Sequence, residues 1–142
     1  MATGAAKPVE GVRRRLPPER QSITRRFTIG SDVKLYATVG MFPDGTPGEI
    51  FCKIAREGST TSGMADGACI AFSIALQYGA PLSVLCRKWT RMNFEPSGWT
   101  GDEEFGYAKS VLDLLARWMW KRWGVPEGTT ASLQPPGGED SP

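Results

Sequence analysis

The sequence contains no histidine and only three cysteines, Cys52, Cys69 and Cys86, none of which belongs to a CxxC pair. A structural zinc site needs four clustered Cys or His ligands, so one chain cannot supply such a site. Missing histidine also removes every Ser-His or Cys-His nucleophile pair and the usual general base near neutral pH. Chemistry based on carboxylates or lysine remains open, and we interpret the cysteines as small buried hydrophobes in a reducing compartment.

Long apolar runs are also missing, since none approaches the ~20 residues that a membrane-spanning helix needs. The first residues, MATGAAKPVEG, lack the apolar centre of a signal peptide. We therefore expect a cytoplasmic protein that does not bind membranes. With 142 residues and a formal net charge of +2, the chain has the size of one domain.

Both ends of the chain are poor in large apolar side chains. Residues 1–21 contain Arg13-Arg14-Arg15 followed by Pro17-Pro18, which predicts a flexible basic arm. Residues 125–142 are mostly Gly, Pro, Thr, Ser and acidic residues, which predicts a disordered acidic tail. The ordered domain is therefore expected at 22–124.

Apolar and polar residues alternate along three segments, 22–29, 34–41 and 49–55, which predicts three strands. The connecting segments are short and rich in turn residues, so we expect an antiparallel meander. Three helical segments follow, which places the chain in the α+β class.

The clearest helix covers 59–78, because Ser59 to Ser62 offer capping hydroxyls and Gly79 with Pro81 ends the helix. Apolar residues point in nearly every direction around its axis, which predicts a central helix buried on all sides. Gly63 and Gly67 lie one turn apart, which predicts close approach of another backbone.

Two further helices are expected, one starting at Leu82 and one over 103–123 with Asp102 as its cap. The intervening loop, 91–101, has the Pro, Gly and Ser content of a turn region. We expect it to be held by burial of Phe94 and Trp99. The predicted fold is thus a three-stranded antiparallel meander packed on a layer of three helices.

Several multi-residue blocks, in order along roughly 13–123, resemble the TSCPD domain found at the C-terminal end of adenosylcobalamin-dependent (class II) ribonucleotide reductases and as small stand-alone proteins. The blocks are Gly48-Glu49-Ile50-Phe51 with Lys53, Arg56-Glu57-Gly58-Ser59-Thr60 with Ser62-Gly63, Leu76-Gln77-Tyr78-Gly79-Ala80-Pro81-Leu82, Arg87-Lys88, Phe94-Glu95-Pro96-Ser97-Gly98-Trp99-Thr100, and Ala108-Lys109-Ser110 with Asp113.

The resemblance implies a link to deoxyribonucleotide synthesis and DNA replication, but no catalytic residue is carried over. In these reductases the radical and reducing cysteines and the cobalamin site belong to a large barrel domain, and no residue here matches them. We therefore expect a non-catalytic accessory module without a cofactor or metal of its own. The expected partner is a reductase catalytic subunit or another protein, with a nucleotide, DNA or a second copy of the chain as alternatives.

Three surfaces are candidates for binding. The segment around Gly58 combines glycines, hydroxyls, free helix N–H groups and nearby cations, as anion or nucleotide phosphate sites do. Its alternative interpretation is a plain helix cap. The predicted anion-site residues are Lys53, Arg56, Gly58, Ser59, Thr60, Ser62 and Gly63.

The second candidate is the corner over 70–89, where Ala75, Gly79 and Leu85 have the spacing of a DNA-binding helix-turn-helix. An ordinary corner between two helices needs the same small residues. The residues predicted to contact DNA in this alternative are Arg25, Arg26, Ser83, Arg87, Lys88 and Arg91.

The third candidate is the end of the last helix, where Trp118, Trp120 and Trp123 point in different directions. At least one of these rings is expected to be exposed and to contact a protein partner.

Overall fold

The structure, a computed structural model, describes residues 11–55 and 59–124. The elements in order are β1 (Ser22–Ile29), β2 (Val33–Met41), β3 (Pro47–Ala55), α1 (Ser59–Gln77), α2 (Leu82–Trp89), β4 (Gly98–Trp99), β5 (Tyr107–Ala108) and α3 (Val111–Met119), with a π-helical turn at Trp120–Gly124. Strands β1, β2 and β3 form one sheet in that order, and β4 pairs with β5. The predicted α+β class, with a three-stranded antiparallel meander and three helices, is confirmed.

The described residues group into two compact units, although the sequence predicted one domain. We call 11–26 with the described part of 35–80 the sheet–helix unit, and 27–34 with 81–124 the helical unit. The last residues of β1, the hairpin turn and the first residues of β2, which together are Phe27–Lys34, belong to the helical unit. The first ten residues of the predicted arm and the predicted tail lie outside the described residues.

In the sheet–helix unit, the buried side chains of the sheet alternate along β2 and β3, as predicted. They are Leu35, Ala37, Val39, Ile50, Cys52 and Ile54. Helix α1 packs against β3, which is an edge strand of the sheet. Burial of these side chains provides the main stabilisation of the unit, since apolar area removed from water is worth about 25 cal/mol per Å².

Two buried polar side chains of α1 bind the free edge of β3. The Ser73 hydroxyl accepts a hydrogen bond from the backbone N–H of Ile50 (2.8 Å) and donates one to its carbonyl (3.2 Å). The Gln77 side-chain amide donates to the carbonyl of Gly48 (2.8 Å). Unpaired backbone groups on an edge strand invite pairing with another chain, so these contacts close that edge.

Helix α1 is buried on one side only, and the prediction of a helix buried all round is wrong. The buried side is formed by Ala65, Cys69, Phe72, Ser73, Leu76 and Gln77. On the opposite side Met64 is 73% exposed and Ile70 is 58% exposed. A Cβ atom placed on Gly63 or Gly67 would meet no atom within 4 Å, so the predicted close approach of another backbone is also wrong.

Residues 11–21 are held against the sheet–helix unit by arginines of the predicted arm. The Arg13 side chain donates to the Gln77 side-chain oxygen (2.7 Å), and the Arg14 backbone N–H donates to the Gln77 carbonyl (2.7 Å). The Arg14 guanidinium lies 3.8 Å from the centre of the Phe42 ring and 3.2 Å from a carboxylate oxygen of Asp44. Part of the triple-arginine run therefore serves packing.

In the helical unit, α2 packs on α3 and an aromatic cluster completes the core. The Phe27 ring meets the rings of Phe105 and Trp118 edge to face, with centroid distances of 5.6 Å and 5.7 Å. Such pairs add roughly 0.5–1.5 kcal/mol beyond the area that they bury.

The last helix begins at Val111, not at Glu103 as predicted, and Ser110 is its cap. The Ser110 hydroxyl accepts a hydrogen bond from the backbone N–H of Asp113 (3.0 Å). Gly101 and Gly106 have φ angles of 76° and 62°, which a continuous right-handed helix does not accommodate. The chain forms a turn and the β4–β5 ribbon there instead.

The loop before this ribbon is held by its backbone, and the predicted burial of Phe94 and Trp99 is wrong because both side chains are exposed. The backbone N–H of Phe94 donates to the carbonyl of Lys109 (3.0 Å), and that of Gly30 donates to the carbonyl of Trp99 (2.8 Å). A Cβ atom on Gly98 would lie 3.1 Å from the Gly30 nitrogen, and the φ angle of Gly98 is 156°, so a side chain at this position would be both crowded and strained.

Candidate functional site

Asp113 is the most highly connected buried charge of the helical unit. Its side chain is held in place by the backbone N–H groups of Arg91 (2.8 Å) and Lys109 (3.0 Å) and by the Arg117 guanidinium (3.0 Å). The same guanidinium donates to the carbonyls of Phe105 (2.6 Å) and Tyr107 (2.9 Å). The block of Ala108 to Ser110 with Asp113 therefore joins the loop, the ribbon and α3, which is a structural role.

The block that starts at Gly48 also has a structural role. The Glu49 carboxylate accepts two hydrogen bonds from one edge of the Arg20 guanidinium, from Nε at 2.7 Å and from Nη2 at 3.0 Å. A Cβ atom on Gly48 would lie 2.8 Å from a methyl carbon of Leu16 and 2.9 Å from the Phe42 ring. These residues fix the start of β3 and do not form an open site.

The predicted anion site is only partly described. Lys53 lies exposed on β3, and Thr60 and Ser62 lie in the first turn of α1, exposed and half-buried respectively. Gly63 is exposed on the same helix. Arg56 and Gly58 lie outside the described residues, and Ser59 is the first residue of α1. Phosphate binding there stays a prediction.

The residues predicted to contact DNA are divided between the two units. Arg25 and Arg26 belong to the sheet–helix unit, and Ser83, Arg87, Lys88 and Arg91 belong to the helical unit. Arg91 has a φ angle of 74° and is fixed through its backbone by Asp113. Recognition of duplex DNA by the corner stays a prediction.

Of the three tryptophans predicted to form an interface, Trp118 is part of the core, and a partner contact through Trp120 and Trp123 stays a prediction. Trp118 is 2% exposed because Phe27 from β1 and Trp123 pack on its ring, the latter at 5.7 Å. Trp120 and Trp123 are half-buried. Spacing along the helix showed that the three rings point in different directions, but it did not show which neighbours cover them.

Comparison with known proteins agrees with the sequence blocks. The TSCPD domain family matches residues 7–122. The chain belongs to the TSCPD domain family. It is 48% identical over 107 residues to the vitamin B12-dependent ribonucleotide reductase of Rhodopirellula baltica. The aligned segment covers 75% of this chain and 10% of the relative. No solved structure matches the chain.

Two further B12-dependent ribonucleotide reductases share the TSCPD segment. Identity is 44% over 106 residues with the Streptomyces coelicolor protein and 39% over 106 residues with the Agrobacterium fabrum protein. These matches cover 75% and 74% of this chain, but only 11% and 8% of the relatives. The chain therefore spans between 8% and 18% of the length of the curated relatives that it matches.

The three cysteines of this TSCPD domain are free and buried. Burial raises the pKa of each thiol to about 12, and for Cys52 the neighbouring Cys69 and Asp66 add to the effect. Thiols with such a pKa stay protonated at neutral pH and are poor nucleophiles. Among residues 11–55 and 59–124, no three His, Cys, Asp or Glu side chains come together as a metal site requires.

We expect the native thiols to react with a disulfide reagent at pH 8 at least roughly tenfold more slowly than the thiols in urea, because they are protonated and covered. The folded thiols also keep their protons above the ordinary pKa of 9.0. Their contribution to stability is therefore complete below about pH 9 and falls as the pH rises towards 12. Equal reaction rates in the two states would contradict this prediction.

Several surfaces of the described TSCPD domain expose large apolar side chains, among them the β4–β5 ribbon with Trp99 and Tyr107. Two of these surfaces belong to the sheet–helix unit. One is the outward side of α1, which we call the α1 face and define by Gly63, Met64, Gly67, Ile70 and Tyr78. The other is the side of the sheet that exposes Tyr36 and Phe51. Phe51 belongs to a family block but was not predicted to be a binding residue, and neither was Tyr36, although the alternation along β2 and β3 places both on the polar side of their strands.

Within the described ranges, no helix is long and apolar enough to cross a bilayer.

Proposed function

We propose that this chain is a non-catalytic binding module of deoxyribonucleotide synthesis. It acts in the cytoplasm by docking, through the α1 face, on a B12-dependent ribonucleotide reductase that is supplied as a separate chain. The relatives named B12-dependent ribonucleotide reductases carry the matching segment as about a tenth of one long chain. A domain that normally adjoins a large protein has a surface that contacts it, and the same surface serves docking when the domain is separate.

The observation that supports this proposal is the exposed α1 face. Met64 and Ile70 are more than half exposed, and Tyr78 is exposed at the end of the same helix. Contiguous apolar surface of this kind marks sites where proteins associate. The only charged residue between Ser59 and Gln77 is Asp66. Covering the exposed side of the helix with a partner would therefore remove few charged groups from water.

The two glycines of the α1 face support a closely packed partner. Gly63 and Gly67 lie inside α1, where glycine costs roughly 0.5–1 kcal/mol each relative to alanine. A Cβ atom on either residue would meet nothing within 4 Å in this structure. The glycines therefore gain no packing from residues 11–55 and 59–124, whereas a partner's backbone or side chains could fill the space beside them.

The absence of catalysis is supported by the state of the cysteines. Reduction of a ribonucleotide by a reductase of the family requires reactive cysteines, and the three thiols here are buried with pKa values of about 12. The sequence also provides no histidine for proton transfer. We expect no nucleotide turnover by the purified chain with adenosylcobalamin and a dithiol, and measurable turnover would contradict the proposal.

Docking is tested by biolayer interferometry between the purified chain and the B12-dependent reductase of the same host. Gly67→Leu fills the space beside this glycine on the α1 face, and we expect it to weaken binding at least tenfold. The stability of this variant should be retained or slightly increased, because leucine favours helix more than glycine does and has room at this position.

A matched control is Tyr107→Ala, which removes an exposed aromatic ring from the β4–β5 ribbon. This change should leave the affinity for the reductase within about twofold of the original. No binding at ~100 μM chain, or equal binding by the Gly67→Leu variant, would contradict docking through the α1 face.

A further inference from the structure

The outer side of the sheet combines exposed aromatic rings with cations. We call Arg26, Tyr36, Thr38, Phe51 and Lys53 the aromatic sheet face. Tyr36 is 47% exposed and Phe51 is 53% exposed. Arg26 and Lys53 are also exposed, and Thr38 is half-buried. All five residues belong to the sheet–helix unit.

The pairing of β1 with β2 sets Arg26 beside Tyr36. The Thr24 and Thr38 hydroxyls lie 2.8 Å apart across the two strands. In an antiparallel pair, a step of two residues forward on one strand corresponds to a step of two residues back on the other. Because Thr24 faces Thr38, Arg26 on β1 faces Tyr36 on β2. The hydrogen bond from the Met41 N–H to the Gln21 carbonyl (2.9 Å) fits the same register.

The pairing of β2 with β3 places Phe51 and Lys53 next to Thr38 and Tyr36 on the outer side of the sheet. A Cβ atom on Gly40 would collide with the side chain of Glu49, so these two positions are neighbours on one face. Counting back from Gly40 and forward from Glu49, Phe51 lies beside Thr38, and Lys53 lies beside Tyr36. Tyr36 and Phe51 are then diagonal neighbours, which lie roughly 7–8 Å apart, within reach of aromatic side chains.

The charge of the aromatic sheet face is positive. Arg26 and Lys53 stand on either side of Tyr36, whereas the carboxylate at the far end of the face, that of Glu49, is buried and bound by Arg20. Helix α1 packs on β3 through the buried side chains, so it leaves this side of the sheet open.

We infer that the aromatic sheet face binds single-stranded nucleic acid. Two consecutive bases stack on the rings of Tyr36 and Phe51, and Arg26 and Lys53 contact the phosphates beside them. Flat aromatic rings within a positively charged surface accept any unpaired base, because each base has a π-face. A duplex keeps its base faces stacked inside the helix, so it offers nothing to these rings.

The inference is independent of docking through the α1 face, which lies on a different element. It is tested by fluorescence anisotropy of the full chain with a fluorescein-labelled 12-nucleotide oligo(dT) at ~50 mM salt, where phosphate contacts are little screened. We expect saturable binding in the micromolar range. Tyr36→Ala and Phe51→Ala should each weaken it at least fivefold, and the double variant at least twentyfold.

The cations are tested through salt dependence. The affinity for a single strand falls as the salt concentration rises. Arg26→Gln or Lys53→Gln should make this fall less steep, with the slope of log affinity against log salt closer to zero by about 0.7 for each phosphate contact that is lost. Both aromatic side chains are exposed, so their removal leaves the thermal midpoint within a few degrees and separates lost binding from lost folding. Tyr107→Ala is the matched aromatic control and should bind as the original chain does.

Three results would overturn the inference. The first is no change in anisotropy at ~100 μM chain. The second is binding of a duplex of the same length as tightly as the single strand, because a duplex cannot stack on the rings. The third is equal affinity for thymidine monophosphate and for oligo(dT), because a single nucleotide reaches only one of the two rings.

Discussion

Replacement of Trp118 by alanine is expected to lower the free energy of unfolding by about 3–5 kcal/mol, as for other large aromatic side chains removed from a core. The indole is 2% exposed and packs edge to face on Phe27 and Trp123. Its removal loses both ring contacts and leaves a cavity that α3 cannot close by itself. Urea unfolding followed by circular dichroism measures the change.

The stability of this variant also shows whether Trp118 is a core residue or an interface residue. An interface tryptophan would leave stability nearly unchanged when removed and would affect only the binding of a partner. The control is Trp99→Ala, since Trp99 is exposed on the β4–β5 ribbon and should cost less than about 1 kcal/mol. Equal stability of the Trp118→Ala variant and the original chain would show that Trp118 is not part of the core.

Asp113→Ala is expected to cost a similar amount, about 3–5 kcal/mol, for an electrostatic reason. Asp113 is 3% exposed, and its carboxylate accepts hydrogen bonds from Arg91, Lys109 and Arg117. Alanine leaves two backbone N–H groups without an acceptor and removes the negative charge beside a guanidinium that is itself mostly buried. Buried donors that lose their acceptor carry their full desolvation cost.

The matched control is Glu104→Ala. The Glu104 carboxylate lies 2.7 Å from the Lys121 ammonium, but both side chains are more than a third exposed, so the pair is worth less than about 1 kcal/mol. Unfolding in urea compares the two variants directly. A loss of less than about 1 kcal/mol in the Asp113→Ala variant would contradict the role of Asp113 as the centre of the helical unit.

The residues that identify the family only partly coincide with those that support our proposals, since Phe51, Lys53, Gly63 and Tyr78 belong to both sets. Asp113, Ser110 and Glu49 are buried and form hydrogen bonds within their own units. The α1 face and the aromatic sheet face are instead built from side chains that the described fold leaves exposed. The sequence blocks thus led to the fold and the family, and the exposed surfaces had to be found in the structure.

Local signals in the sequence were sufficient where one residue decides one local conformation. Alternation predicted the three strands of the sheet, and Gly79 with a φ angle of 98° ends α1 as its position predicted. The spacing from Leu82 to Trp89 likewise predicted α2. The absence of CxxC pairs and of histidine led to the interpretation of the cysteines as buried hydrophobes, which their burial confirms.

Tertiary structure alone decided which surfaces are covered. Helix α1 is apolar nearly all round, so its sequence holds no signal for the side that meets β3 and the side that remains exposed. The start of α3 was missed because the segment from Gly101 to Gly106 adopts a turn that supports the β4–β5 ribbon. Trp118 is buried by Phe27, which lies 91 positions earlier in the sequence. Contacts between such distant residues depend on how the whole chain folds, and the periodicity of one helix cannot contain them.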